Sequence, residues 1–312
     1  MAKIISSTKD LSREDWLKLR QLGIGGSDAA IVLGLSKWKT PFELFLEKTN
    51  QVELQESQSE AAYFGSLLED VVAKEFELRT GKKVRRRNQM LQHDEHEFML
   101  ANVDRMIVGE DAILECKTAS AYLANDWKDD EVPENYIIQV QHYMAVTDTK
   151  KAYIAALIGG NRFIWKEIER DDELIEIIIN AQKEFWNEFV KKDIPPALDG
   201  SSAAERYIKE RYLQAETETV VDLSHEYISK IESLNTLKEQ SKFIDTQIKE
   251  IENQIKNEMK TSSLAAVGNY QIKWNNVTSN RLDSKALKEK HPAIYEEFTK
   301  SSISRRFAIK EI

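Results

Sequence analysis

Apolar and polar positions along this chain follow two rhythms, a helical one of about 3.6 residues and a strand-like one of two. The helical rhythm runs through "EAAYFGSLLEDVVAKEFELRTG", residues 60–81, and stops at Gly81. It recurs over residues 12–21, where Ser12 precedes Asp15 by three positions, close to a capped helix start. In "LGIGGSDAAIVLGLSKWKTPFELFLEKTN", Gly23, Gly25 and Gly26 lead through Ser27 and Asp28 into an apolar helix. A second helix there starts near Thr40-Pro41, with proline at its first turn. Residues 50–60 are polar and read as a loop. "PENYIIQVQHYMAV" reads as a helix entered through Pro133, and a long helix is expected over about 171–191, ending before Pro195-Pro196.

The two-residue rhythm marks "FMLANVDRMIVGEDAILECKTA", residues 98–119, as two strands around a Gly109 turn. "KAYIAALIGGNRFIWKEIER" reads as a second hairpin around Gly159-Gly160. After about residue 216, Ile231, Leu234, Leu237, Ile244, Ile248, Ile251 and Ile255 recur at spacings of three, four or seven with charged faces between them. That is a long amphipathic helix of coiled-coil type. The end of the chain reads as strand "NYQIKWNNV", helix "DSKALKEKHPAIYEEF" and strand "SRRFAIKEI", a small α/β unit. The expected class is α/β, divided into a core over residues 1–215 and an extension over residues 216–312.

Composition narrows the chemistry. Net charge is −9, which excludes a non-specific nucleic-acid binder held by bulk charge but leaves room for a local basic groove. Cys116 is the single cysteine, so neither an intramolecular disulfide nor a cysteine cage for zinc or iron–sulfur is available. No apolar run is long enough to span a membrane. The N-terminal residues show no apolar signal core or cleavage site, so a cytoplasmic protein is expected.

The first hairpin carries the chemistry. With a loop over residues 108–111, Ile107 pairs with Ala112 and Asp104 falls opposite Glu115. Opposed side chains lie about 5 Å apart at Cβ, and like charges there repel. Glu115 and Lys117 share one strand face, while Leu114 and Cys116 take the other. A divalent cation between Asp104 and Glu115 would remove the repulsion, and hard oxygen ligands with open positions suit Mg²⁺. Lys117 could then orient or deprotonate an attacking water and stabilise charge on phosphorus. A solvated surface ion pair is the plainer alternative.

The spacing D-x₁₀-E-x-K resembles the PD-(D/E)xK nuclease signature, with Asn102-Val103 where that signature often has proline. The ordered words "WLKLRQLGIGGSDAAIVLGLS", "FGSLLEDVVAKEF", "LANVDRMI", "LECKTA" and "YIIQVQHYMAVT" resemble the YqaJ-type viral recombinase family, related to phage lambda exonuclease, over roughly residues 10–215. The resemblance implies a restriction-endonuclease-like core: a mixed sheet flanked by helices. It implies Mg²⁺-dependent 5′-to-3′ digestion of linear double-stranded DNA, with Mn²⁺ as a substitute metal. Asp104, Glu115 and the Cys116 backbone carbonyl would hold metal, Lys117 would be the catalytic lysine, and Glu69 an additional acid. Gln139 would lie on the helix beside the active site. Arg20 and Ser27 would contact a 5′-phosphate. The resemblance also implies a homo-oligomer, a trimeric ring, working beside a single-strand annealing protein. An endonuclease of the same fold, or a non-catalytic DNA-end-binding module, is the alternative.

Other features have two readings each. The glycine-loosened helix start at residues 23–27 is either an anion cradle or a plain turn with a Ser/Asp cap. Arg79, Lys82, Lys83, Arg85, Arg86 and Arg87 either track DNA phosphates or form a solvated strand edge. His93 and His96 read as a polar turn. His142 follows Gln139 on one helix without a catalytic role, and the tryptophans read as core or interface. The extension could hold the annealing partner, a sister subunit or DNA.

Overall fold

The computed structural model describes residues 2–52, 59–128, 131–216, 219–280, 282–300 and 304–310. It divides into two compact units, residues 1–211 and 212–312, a few residues before the expected boundary. No helix among the described residues is long and apolar enough to cross a membrane.

The first unit opens with β1 (Lys3–Ser7), α1 (Arg13–Gln21), β2 (Ile24–Gly25), α2 (Gly26–Val32), α3 (Pro41–Lys48) and α4 (Glu60–Thr80). Next come β3 (Val84–Arg86), β4 (Gln89–Gln92), β5 (Met99–Ala101), β6 (Arg105–Ile107) and β7 (Ala112–Ala119). A 3₁₀ segment, Ala121–Trp127, leads to α5 (Glu134–Thr147), β8 (Lys151–Ile158), β9 (Arg162–Glu169), α6 (Asp172–Glu184) and α7 (Ser202–Arg211). α6 runs on as a π-helical turn over Phe185–Val190, so the expected long helix is there, ending before the two prolines.

Local chemistry explains the boundaries. Thr40 caps α3 in a full capping box with Glu43, and Pro41 fills the first turn. Ser59 caps α4, and Gly81 ends it in the left-handed region at φ 72°. β6 and β7 turn at Gly109, φ 84°, and β8 and β9 at Gly159 and Gly160, φ 60° and 75°.

Two sheets form. The larger has order β3-β6-β7-β8-β9, with β7 and β8 parallel and the other pairs antiparallel. The smaller has order β1-β4-β5-β2. Residues 98–119 are thus three strands, not two. The chain leaves the smaller sheet after Ala101, crosses at residues 102–104, and enters the larger at Arg105. The apolar run through "FMLANV" hides this break.

α4 covers one face of the larger sheet, with Val72, Ala73 and Phe76 packed on Leu114, Tyr153 and Ala155. α5 covers the other, with Val140 and Met144 against Ile113, Ala152 and Ile154. Residues 138–146 of α5 are all buried, among them the polar Gln139, Gln141 and His142. Its polar residues are therefore satisfied internally. Gln141 donates to the Glu169 carbonyl and accepts from Asp171 N–H, at 2.8 and 3.0 Å.

In the second unit, α8 (Glu226–Met259) is the expected long helix. β10 (Leu264–Val267) and β11 (Tyr270–Lys273) form a hairpin whose first strand the apolar pattern did not mark. The expected single helix over 283–298 is two, α9 (Ser284–Lys290) and α10 (Pro292–Glu297), because Pro292 cannot continue the α9 hydrogen-bond ladder. Residues 304–310 form no strand, a correction to the α/β reading of this end. Residues 53–58 of the expected loop, and 311–312, lie outside the described residues.

His142 is a buried structural histidine. Its Nε2 lies 2.9 Å from the Leu100 carbonyl and its Nδ1 2.9 Å from Gln182 Nε2. Gln182 can only donate through that nitrogen, so the ring is neutral with its proton on Nε2. Burial pulls its pKa down from 6.5 to about 4, with Asp28 and His93 the charged groups acting on it. This stabilisation is whole above pH 6.5 and is lost as pH falls toward 4. Unfolding free energy should drop by about 2 kcal/mol between neutrality and about pH 5 from this group alone. Denaturant titrations at both pH values should show the slope in the parent and a flatter one in His142→Gln; equal slopes would remove His142 as its source.

Candidate active site

Asp104 sits where the chain crosses between the sheets. Arg105 pairs with Leu114 and Met106 with Ile113. Carried one residue back, this register sets Asp104 opposite Glu115, as the alternation predicts. Asp104 Oδ2 accepts the Cys116 N–H at 2.8 Å. An extended residue turns its N–H and C=O to the same edge of the strand, so the Cys116 carbonyl lies on that edge too.

Glu115 and Lys117 share the α5 face of β7. Lys117 Nζ lies 2.7 Å from Glu115 Oε1 and 4.9 Å from the Tyr136 ring centroid. Gln139 of α5 ties the pair together. Its Oε1 accepts from Lys117 at 2.9 Å, and its Nε2 donates to Glu115 Oε1 at 2.7 Å and to Tyr143 Oη at 3.2 Å. Cys116 packs on the other face with the α4 cluster.

The electrostatics are unbalanced. Burial, then the Glu115 and Glu69 charges, push the Asp104 carboxyl well above the ordinary carboxylate range. Burial raises Glu115 too, against the pull of Lys117. Burial opposes the Lys117 charge, yet Glu115 and Asp104 hold its pKa above the ordinary lysine value. Glu115 Oε2 is buried with no hydrogen-bond partner among the described residues. A buried carboxylate oxygen without a donor is costly, and a cation would satisfy it. The donor set, two carboxylates and a carbonyl, fits a hard divalent ion that keeps several waters. Among the described residues no cluster of three His, Cys, Asp or Glu side chains could hold a metal.

Glu69 lies on α4, close enough for its charge to act on Asp104 and Glu115. It is ion-paired to Arg105, whose guanidinium also meets Asp70 at 2.6 Å and the Asp104 carbonyl at 2.7 Å. Arg105 is buried and points to the α4 face, so Glu69 acts on Asp104 through its charge.

The residues expected at a 5′-phosphate join this site. A cavity of about 180 Å³ is lined by Arg20, Gly25, Gly26 and Ser27 on one side and Asp104, Gln139 and Tyr143 on the other. Arg20 Nη2 lies 3.0 Å from Ser27 Oγ and 2.5 Å from Asp28 Oδ1. Asp28 Oδ2 meets Lys48 Nζ at 2.8 Å and the Gly25 N–H at 3.1 Å. Burial works against the Asp28 charge, yet Arg20, Lys48 and that N–H hold its carboxyl well below the usual range. Gly25 is the α2 N-cap, so Asp28 is not the cap but the third helical residue, reaching back to it. Gly26 is required by packing, because a Cβ there would stand 2.4 Å from the Tyr143 ring.

The basic run splits by strand parity. Arg86 faces α4 and is paired to Asp70, and Lys82 is paired to Glu110. Arg85 lies opposite Met106, on the face that carries Glu115 and Lys117. Arg87 reaches the Met106 sulfur on that face at 3.7 Å. Lys83 and Arg85 are exposed. His93 Nδ1 accepts the Glu95 and His96 N–H groups, a polar turn as expected. Trp127 is core, whereas Trp16 lines the cavity and Trp38 is largely exposed.

Lys48, Tyr143, Asn102 and Arg105 escaped the sequence reading. Asn102, Arg105 and Tyr143 stand inside the motif words without a role assigned to them, and Lys48 stands outside those words, where a lysine near a helix end normally faces water.

The family model for the YqaJ-like viral recombinase domain matches residues 15–150. The chain is 57% identical over 313 residues to the YqaJ protein of Bacillus subtilis strain 168, covering all of this chain (100%) and 98% of that protein. Among solved structures it resembles LHK-Exo in complex with dAMP, at 21% identity and TM-score 0.50, over 64% of this chain and 98% of that one. A second structure of that alkaline exonuclease, from Laribacter hongkongensis, matches at 19% identity and TM-score 0.48, over the same shares of 64% and 98%. The first likeness supports the fold: a mixed sheet flanked by helices, of the restriction-endonuclease-like kind expected. The Asp104–Glu115–Lys117 strand pair thus lies in a chain that belongs to the YqaJ-like viral recombinase family.

Proposed function

We propose that this protein is a metal-dependent nuclease that digests linear double-stranded DNA from 5′ to 3′, leaving 3′ single strands for annealing during recombination. Membership of a viral recombinase family supports a role on DNA in recombination, and the exonuclease-like fold supports nuclease chemistry. The observation that carries the reading is the unpartnered Glu115 Oε2 beside Asp104, in a site whose cavity also holds Arg20 and Ser27.

Asp104, Glu115 and the Cys116 carbonyl would hold Mg²⁺, with Mn²⁺ as a substitute. Bound there, the ion supplies Lewis-acid activation of the phosphodiester and of water. Lys117 presents its ammonium beside the two carboxylates and stabilises negative charge developing on the phosphoryl oxygens. Gln139 fixes both Lys117 and Glu115, so neither has to reorganise when substrate arrives. Glu69 adds negative charge from the α4 side. Arg20 and Ser27 bind the terminal 5′-phosphate, so the strand end is registered against the hydrolytic centre. Lys83, Arg85 and Arg87 are the members of the basic run suited to the DNA backbone from the active-site face; Lys82 and Arg86 would first have to leave their carboxylates. A trimeric ring and delivery of the product strand to an annealing protein complete the proposal on family grounds.

Linear duplex labelled at either end, with Mg²⁺ or chelator, tests it beside a closed circle. Mg²⁺-dependent early release of the 5′ label with the circle intact is expected; a nicked circle would make it an endonuclease. Lys117→Ala should lower cleavage at least about a hundredfold while Ca²⁺-supported end binding persists.

The cradle carries a separate expectation. Arg20, Lys48 and Asp28 together leave one net positive charge facing the cavity. Lys48→Met cancels it, and the preference for phosphorylated over hydroxyl 5′ ends should fall about tenfold. Asp28→Asn with Lys48→Met restores the net charge and should restore the preference. Thermal midpoints separate lost charge from lost fold, and a parent protein indifferent to the 5′-phosphate would sink the cradle.

A further inference from the structure

α8 is a single helix of 34 residues in the second unit. From Leu234 to Ile255 its aliphatic residues fall on strict heptad positions, and Phe243 alone among the apolar residues lies off the seam, at c. Leu234, Ser241, Ile248 and Ile255 occupy a, and Leu237, Ile244 and Ile251 occupy d. Among the described residues Leu237, Ile244, Ile248, Ile251 and Ile255 are 38–61% exposed. A stripe of this size on one helix is unstable in water unless another surface covers it.

The pattern identifies what covers it. With copies parallel and in register, every layer meets its own residue. Isoleucine and leucine layers then flank a single Ser241 layer, whose hydroxyls can bond one another and fix the register. Gln240 and Gln247 at g face Asp245 and Glu252 at e of the neighbouring copy, an amide against a carboxylate with no like charges in contact. An antiparallel pair that keeps Ile248 against Ile244 sets Ser241 against Ile251 and Leu234 against Glu258, twice each. The seam is therefore matched in the parallel arrangement and mismatched in that antiparallel register.

We propose that α8 forms a parallel, in-register coiled coil with the α8 helices of further copies of this chain. Isoleucine at both a and d in the C-terminal half favours more than two strands over a dimer. The extension then tethers nuclease units to one another, so one DNA-bound unit raises the local concentration of the next. An unrelated helix from a partner protein would need no such layer-by-layer match of the seam to itself.

Cysteine scanning in the full-length protein tests this. Ile248→Cys and Ile244→Cys place thiols at the seam, and Thr246→Cys places one on the outer face of the same turn. Under mild oxidation the purified seam variants should form interchain disulfides at least about tenfold faster than Thr246→Cys. The parent protein, with Cys116 packed in the core unit, is the background control. Absence of crosslinking at 248 and 244 in helical protein would overturn the proposal, as an antiparallel pair or a foreign partner would produce. Equal rates at 246 and 248 would overturn it as well, since they mark random collision.

Discussion

The site is organised around a repulsion. Asp104, in the crossing just before β6, faces Glu115 on β7; Glu115 is buried, and Asp104 is half-buried at the wall of the cavity. Two carboxylates in that position are tolerated only if something takes up their charge. Lys117 neutralises part of it through Glu115 Oε1, and the Cys116 N–H steadies Asp104. Neither reaches Glu115 Oε2. Glu115 Oε2 is thus left without a partner among the described residues, and packing from both sides holds the strands in this arrangement.

That packing shows why α5 is polar at so few points and satisfied at each. Gln139 faces the carboxylates, Gln141 holds the end of β9, and His142 joins β5 to α6. One buried helix thereby fixes β7, the edge strand β9 and the smaller sheet relative to one another. Arg105 does the same from the opposite face, gripping Glu69, Asp70 and the Asp104 carbonyl. Asp104 lies at an irregular crossing, and these two clamps replace the ladder that a regular strand would have supplied.

What could be read beforehand followed from periodicity. The β6–β7 register was legible because Gly109 and the two-residue alternation leave one pairing, and that pairing alone brings Asp104 to Glu115. The ends of α4 and α3 were legible because Gly81 and Thr40-Pro41 act locally. The crossing at residues 102–104 was not, because apolar residues continue through it while the chain changes sheets. The fate of each basic residue was illegible as well: Arg85 and Arg86 are adjacent, yet parity sends one to the face that carries Glu115 and Lys117 and the other to Asp70. Glu69 could be placed on its helix but not assigned its partner, since Arg105 arrives from a distant segment.

Lys48 shows most clearly how tertiary context overrides composition. A lysine in the last turn of a short helix is ordinarily solvated, yet here its ammonium is buried between the Arg20 carbonyl and Asp28. Burial draws its pKa below the ordinary lysine value, and the carboxylate is what keeps it charged. Arg20 needs Asp28 to aim its guanidinium at Ser27, but Asp28 alone would cancel the charge that an anion must see. The second cation resolves that conflict, giving an arginine that is both oriented and still positive. The cost of burying Asp28 and Lys48 is met by pairing with each other and with the half-buried Arg20, which faces the cavity that Asp104 and Gln139 line.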